Sequence, residues 1–441
     1  MMDKLSRKDQ VLISVMLFSM FFGAGNLIFP TFLGYSAGTH TLLSLAGFVA
    51  TAVGLPVMVV IAIAIHGTAE NLNEKVHPYF ALIFPIVIYL CIGPGLAIPR
   101  AATIAYEMGM KPFIQTGTAA QPMALGLYTL VFFGLVLWLS LSPSKLIDRL
   151  GKVLAPITLT IISVLFIRNL FTPQAPFGAP KKIYQDNSFF QGFLDGYLTM
   201  DALGAMAFGV LITNTVRARG MKTERQVSRS MITVGIGAGI LLTVVYSILA
   251  YLGASSAGYG KAANGAGVLT LLTSNLFGDS GVIILGVLFT LACLSVSIGL
   301  VIACSQYFYK LLPSISYRMW TGIFTLASML IANLGLDQIL SISVPILSMI
   351  YPILVVLVTI GLMEKIFKNH QPVYYMAVLF TGIYSAAEFL NTSLLKGSLD
   401  SMISAVPLSA QGIGWLLPAF AGAAAGYAIS SFRKNKVPAE Q

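Results

Sequence analysis

Polar chemistry in this chain is concentrated at two points inside long apolar stretches. The first is Phe22-Gly23-Ala24-Gly25-Asn26, with Pro30 following. The second, residues 196–209, reads Gly-Tyr-Leu-Thr-Met-Asp-Ala-Leu-Gly-Ala-Met-Ala-Phe-Gly and holds Asp201 among Gly196, Gly204 and Gly209. Glycine costs about 1 kcal/mol relative to alanine inside a helix, so each cluster favours an interruption. A half-helix that begins within an apolar layer presents unpaired N–H groups and the positive end of its dipole, which can hold a carboxylate without an arginine. A half-helix that stops there presents carbonyl oxygens, suited to Na+ or an ammonium group. Two such breaks match the two ends of an amino-acid zwitterion. The competing reading is that these glycines only let helices approach closely. Asn26 and Asp201 favour the breaks, because an acid at membrane depth is expensive without a function or a partner.

The other reactive side chains argue against enzymatic chemistry. Asp201 either faces an ammonium or cation, or caps a half-helix restarting at Ala202. Asp195 and Asp201 are six residues apart, on opposite sides of a helix, and so make no catalytic pair. Arg100 and Glu107 are seven apart on one helix face. They read as a gate ion pair, or as an arginine snorkelling to the membrane interface. The three cysteines, Cys91, Cys293 and Cys304, form no CxxC pair. The four histidines, His40, His66, His77 and His370, form no HxxxH or HExxH spacing, so no metal site is expected beyond a coupling cation. A channel would need a continuous polar pore, whereas the few polar residues inside the apolar stretches cluster at one depth.

The elements that must position these residues are membrane helices. Of 441 residues, 57% are hydrophobic and 10% charged, against roughly 25% charged in soluble chains. Twelve apolar runs fall at 11–37, 42–65, 79–108, 123–141, 149–171, 192–216, 227–252, 281–310, 317–334, 338–362, 374–394 and 412–431. Each has about the length a helix needs to cross a bilayer and is too long for a barrel strand. The first run is too long for a cleaved signal and contains Pro30. Residues 268–277 suit a short helix on the outer surface. With an even number of spans, 19 of the 26 Lys and Arg fall on the side of the termini, six on the other and Arg100 inside a run. That asymmetry makes the termini cytoplasmic. Arg217, Arg219, Lys222, Arg225 and Arg229 are among the anchors, and the net charge of +10 needs no nucleic-acid partner. Runs one and six enter from opposite sides, the pattern of an inverted-repeat transporter with two interrupted helices.

At these residues the chain resembles the bacterial branched-chain amino acid carriers, the leucine/isoleucine/valine:cation symporters. The resemblance is carried by Phe-Gly-Ala-Gly-Asn-Leu-Ile-Phe-Pro in run one and by the Asp201 stretch. It extends to Gly93-Pro94 through Pro99-Arg100, Ser341-Ile-Ser-Val-Pro345 and Tyr351-Pro352, covering essentially the whole chain. The family is similar to the amino acid–polyamine–organocation superfamily. That implies one transmembrane domain over residues 1–441 with twelve helices, in the five-plus-five fold of the sodium-coupled leucine transporters. The repeats would be 11–171 and 192–362, with helices 1 and 6 broken and two added helices in 373–432. It also implies symport of leucine, isoleucine and valine into the cell with Na+ as the expected coupling cation, H+ and Li+ being the alternatives. A proton-coupled carrier of another small neutral amino acid is the alternative. Gly23, Ala24 and Gly25 would give N–H groups to the substrate carboxylate, beside Asp201, Gly204 and Ala205. Asn26 would serve one cation site. A second would use Ser19 and Phe22 of run one with Ala292 and Ser295 of run eight, where Val296 departs from the hydroxyl pattern. No cofactor or obligate protein partner is implied; the setting is the lipid bilayer of a bacterial cytoplasmic membrane.

Overall fold

Long apolar stretches in a medium without water must satisfy their own backbone groups, and helices do so within one segment. The computed structural model describes residues 5–114, 120–141, 146–172, 176–364 and 371–434; Lys4 and His370 lie outside them. Among the described residues the regular structure is entirely helical, and every apolar run is largely helix. Seven helical stretches there are long and apolar enough to cross a membrane on their own.

The first run is two helices, α1 (Arg7–Phe21) and α2 (Ala24–Ala37), separated by Phe22 and Gly23 in extended backbone. Next come α3 (41–66), with a π-turn at Ala50–Gly54, and α4 (78–109), with another at Cys91–Gly95. α5 (Ala120–Ser140) and α6 (Leu146–Leu170) complete the first half. The sixth run is also two helices, α7 (Ser188–Asp195) and α8 (Asp201–Ala218), joined by a 3-10 turn at Gly196–Thr199 and by Met200. α9 (Glu224–Ser255) follows. The long helix Gly265–Leu311 is kinked at Gly278, whose φ of 64° is left-handed. It therefore divides into α10 (265–277), where the sequence suggests a short helix, and α11 (279–311). The chain ends with α12 (Tyr317–Ala332), α13 (Leu336–Leu362), α14 (Gln371–Ser393) and α15 (Leu416–Lys434).

Packing follows the small residues. A Cβ on Gly34 of α2 would lie 1.9 Å from the Ala250 carbonyl oxygen of α9, and one on Gly192 of α7 would lie 1.9 Å from that of Ser44 in α3. Only glycine permits backbones to meet so closely. Both halves of the first broken run pack on α9, and both halves of the sixth pack on α3. α4 lies along α11, while α14 and α15 pack on each other and α14 on α13.

Candidate functional site

The two interruptions face each other. At the first, the Gly23 N–H turns away from the helix ladder and donates to Asn26 Oδ1 at 3.1 Å. Asn26 N then donates to the Gly23 carbonyl at 3.2 Å. This closes a local turn at the start of α2, whose first N–H groups have no intrahelical acceptor. Pro30 lacks the N–H that would bond the Asn26 carbonyl in an unbroken ladder. At the second, Met200 adopts φ 64° and ψ 14°, a left-handed conformation that costs a non-glycine residue about 1–2 kcal/mol. Such strain is held at functional sites by the surrounding structure.

One hydrogen-bonded cluster ties the breaks together. Asn26 Nδ2 donates to Asp201 Oδ2 at 2.6 Å, and the Tyr246 hydroxyl of α9 donates to the same oxygen at 2.8 Å. Asn26 Nδ2 also contacts the Tyr246 hydroxyl. All three side chains are buried, so each bond carries much of the cost of removing a polar group from water. Asp201 makes no side-chain cap: the helix starts at Asp201 itself, behind Met200. Its carboxylate reaches across to the other broken helix instead. Tyr246 is invisible to motif reasoning, since nothing in its run distinguishes it from Tyr251. The available signal is that a tyrosine hydroxyl at such depth needs a partner.

Arg100 does not form a gate pair with Glu107. Both lie on the regular helix Ala97–Gly109, but seven residues rise about 10 Å along the axis. Glu107 is held by Lys111, one turn on, at 2.6 and 2.7 Å. Arg100 reaches back toward the helix start, as helical side chains do. Its Nη1 donates to the Leu198 carbonyl at 2.8 Å and its Cζ lies 5.0 Å from the Phe29 ring centre. Arg100 is 4% exposed and stands at the meeting of both breaks.

A cavity of about 1650 Å3 opens from this point. It runs from Gly25, Asn26, Arg100 and Asp201 to Arg7, Lys8, Arg219 and Lys310 at one end of the helices. Ser19, Gly23, Ala24 and Gly204 also line it, as do Ser295 and Val296 from α11. Three expected residues do not face it. Ala205 is fully buried in the core, Phe22 stacks on Phe18 with ring centres 5.0 Å apart, and Ala292 lies outside the cavity wall. Among the described residues, no three His, Cys, Asp or Glu side chains converge as a metal site requires.

The glycines divide into two groups. Gly196 and Gly209 serve packing, since a Cβ there would meet Thr51 Oγ1 at 1.9 Å and Ile63 Cδ1 at 2.5 Å. Gly25 serves the cavity: its Cβ would stand 2.9 Å from Arg100 Nη2 and 3.1 Å from Phe29 Cε2. Gly23 is under no conformational demand for glycine. Its φ of −113° and ψ of −171° suit any residue, and the nearest atom to an added Cβ is 3.7 Å away.

Comparison with known proteins agrees over nearly the full length. The family model described as "Branched-chain amino acid transport protein" matches residues 6–433. The chain is 44% identical to "Branched-chain amino acid permease BraB" of Bacillus subtilis, covering 98% of each chain. It is 39% identical to "Branched-chain amino acid transport system 2 carrier protein" of Pseudomonas aeruginosa, covering 95% of each. Its fold is similar to that of Mhp1, a nucleobase-cation-symport-1 family transporter, with a TM-score of 0.62 and 11% identity over 97% of this chain and 93% of the other.

Proposed function

This chain belongs to the branched-chain amino acid transport protein family, and we propose that it carries leucine, isoleucine and valine into the cell by cation symport, with Na+ as the cation. Its relatives are transport proteins, not enzymes. The observation that carries the reading is the Asn26–Asp201–Tyr246 cluster joining the two helix breaks at the inner end of the cavity.

The substrate carboxylate sits on the N–H groups of Ala24 and Gly25 at the start of α2, where the helix dipole favours negative charge. The ammonium group lies toward Asp201 and the carbonyls that end the 3-10 turn. The side chain occupies the apolar wall formed by Gly204, Phe208 and Val296. A charged side chain there would be desolvated without a partner, which costs several kcal/mol; this excludes lysine and glutamate.

The coupling cation is held beside Asn26 and Asp201. A second cation site draws on the carbonyls of Ser19 and Phe22 with Ser295. Val296 supplies no side-chain oxygen there; Ala292, like Phe22, lies outside the cavity wall and enters the set only through its backbone carbonyl. A second reading is proton coupling. It is favoured by the direct bond from the Tyr246 hydroxyl to Asp201, a pair able to hold a proton.

The helices form a five-plus-five inverted repeat, 11–171 and 192–362, with two added helices in 373–432 and twelve spans in all. The reciprocal packing of α1 and α2 on α9 and of α7 and α8 on α3 supports it, because exchange of equivalent partners is what such a repeat produces. The protein lies in the bacterial cytoplasmic membrane with both termini in the cytoplasm. Arg7, Lys8, Arg219 and Lys310 then mark the cytoplasmic mouth of the cavity. The experiment is uptake of labelled leucine, isoleucine and valine by proteoliposomes under an imposed Na+ gradient or an imposed pH gradient. Mutually competed uptake driven by Na+ supports the leading reading; uptake driven by the pH gradient alone supports the second. Lysine uptake at the rate of leucine overturns the substrate assignment.

A further inference from the structure

Arg100 is a buried cation that no carboxylate among the described residues touches directly. None of the ion pairs among the described residues includes it. Of the five N–H donors on its guanidinium, one is used, on the Leu198 carbonyl at 2.8 Å. The face of Phe29 covers it at 5.0 Å. The Asp201 carboxylate attracts it from a distance but makes no hydrogen bond to it, Asp201 Oδ2 being occupied by Asn26 and Tyr246. A buried charge with so few direct partners is costly, and in a membrane helix an ionisable residue of this kind marks a functional site. The cavity shows where. Arg100 lines it beside Gly25, and its Nη2 lies only 2.9 Å from the position a Gly25 side chain would occupy. The absence of a Cβ at 25 thus gives the guanidinium its place next to the first N–H groups of α2.

We infer that Arg100 is a specificity residue that binds the substrate's carboxylate. Its free N–H donors act together with the N–H groups of Ala24 and Gly25. The inference rests on the substrate reading above and deepens it: the site demands a free carboxylate, and a substrate's amide or alcohol analogue is rejected. The arrangement combines a planar donor fork with a helix N-terminus, two anion-binding devices aimed at one group. The bound zwitterion brings a carboxylate into direct contact with Arg100 and leaves the ammonium to the Asp201 side.

The test is ligand-induced thermal stabilisation of the purified full chain in detergent. Leucine is compared with leucinamide, which keeps the ammonium and side chain but carries no carboxylate. The expected wild-type result is a preference for leucine of about 10- to 100-fold or more, the scale of hydrogen bonds to a charged group. In Arg100→Gln the preference for leucine over leucinamide narrows about tenfold or more, while the affinity for leucinamide itself changes little. Arg100→Lys restores part of the preference, since it keeps the charge but not the fork. Should Arg100→Gln not fold, Gly25→Ala displaces the guanidinium without removing it and is expected to narrow the same ratio. Equal weakening of leucine and leucinamide, or an unchanged ratio in both variants, overturns the inference and leaves Arg100 a positioning residue. Failure of the wild type to bind leucine at all contradicts the substrate reading instead.

Discussion

Adding one carbon at Gly25 separates a ligand site from a packing contact. In Gly25→Ala the new Cβ would stand 2.9 Å from Arg100 Nη2 and 3.1 Å from Phe29 Cε2. Comfortable carbon contacts begin near 3.5 Å, so the guanidinium must move by roughly half an ångström or more. That displacement lengthens the 2.8 Å bond to Leu198 and crowds the space a carboxylate would fill. A hydrogen bond to a charged group is worth about 1.5–3 kcal/mol, so leucine affinity is expected to fall about 10- to 100-fold. Stability is expected to hold, because Gly25 lies inside helix α2 and alanine there gains up to about 1 kcal/mol of helix propensity. Gly23→Ala is the control. Its backbone angles suit alanine and its nearest neighbour would be 3.7 Å from the Cβ. Its leucine affinity is expected to stay within about threefold of wild type, less than about 0.7 kcal/mol. The assay is equilibrium binding of labelled leucine alongside thermal unfolding in detergent. Equal loss of binding in both variants, or a loss in Gly25→Ala that merely tracks a lower melting temperature, would refute the reasoning.

Other perturbations probe the same site. Asn26→Ala removes the acceptor for the Gly23 N–H and the donor to Asp201; the cation concentration for half-maximal uptake is expected to rise at least about tenfold, the scale of one such bond. Asp201→Asn is expected to abolish or uncouple transport with the fold retained, and normal coupled uptake would reduce Asp201 to a structural tie. Tyr246→Phe keeps the edge-on packing against Phe48, with ring centres 5.3 Å apart, and removes only the hydroxyl. Its uptake should therefore fall together with its pH or Na+ dependence. Glu107→Gln should transport leucine within about twofold of wild type, because Glu107 pairs with Lys111 away from the cavity and such pairs contribute little.

Much of the architecture was legible because its causes are local. Apolar runs of membrane length must be helical, and clustered glycines beside Asn26 and Asp201 mark where two helices part. The residues that resisted reading depend on three-dimensional direction. Helical spacing puts Arg100 and Glu107 on one face, but the long arginine side chain leans toward the helix start and enters the cavity, while Glu107 finds Lys111. Gly23 and Gly25 look alike in sequence, yet only Gly25 lacks room for a side chain. Asp201 is a plausible cap by residue type, but the left-handed Met200 takes the capping position and frees the carboxylate to cross to Asn26. Tyr246 comes to the cluster from α9, 220 positions from Asn26 and 45 from Asp201, a pairing that no local pattern encodes.

The central claim is that the two helix breaks together form an amino-acid site. Its most direct measurement is an experimental structure of the full chain with leucine and Na+ present. The expected result is ligand density between Gly23–Asn26 and Thr199–Gly204, with the carboxylate against the Ala24 and Gly25 N–H groups and the Arg100 guanidinium. Leucine bound elsewhere along the cavity, with the space between the breaks filled only by water, would contradict it.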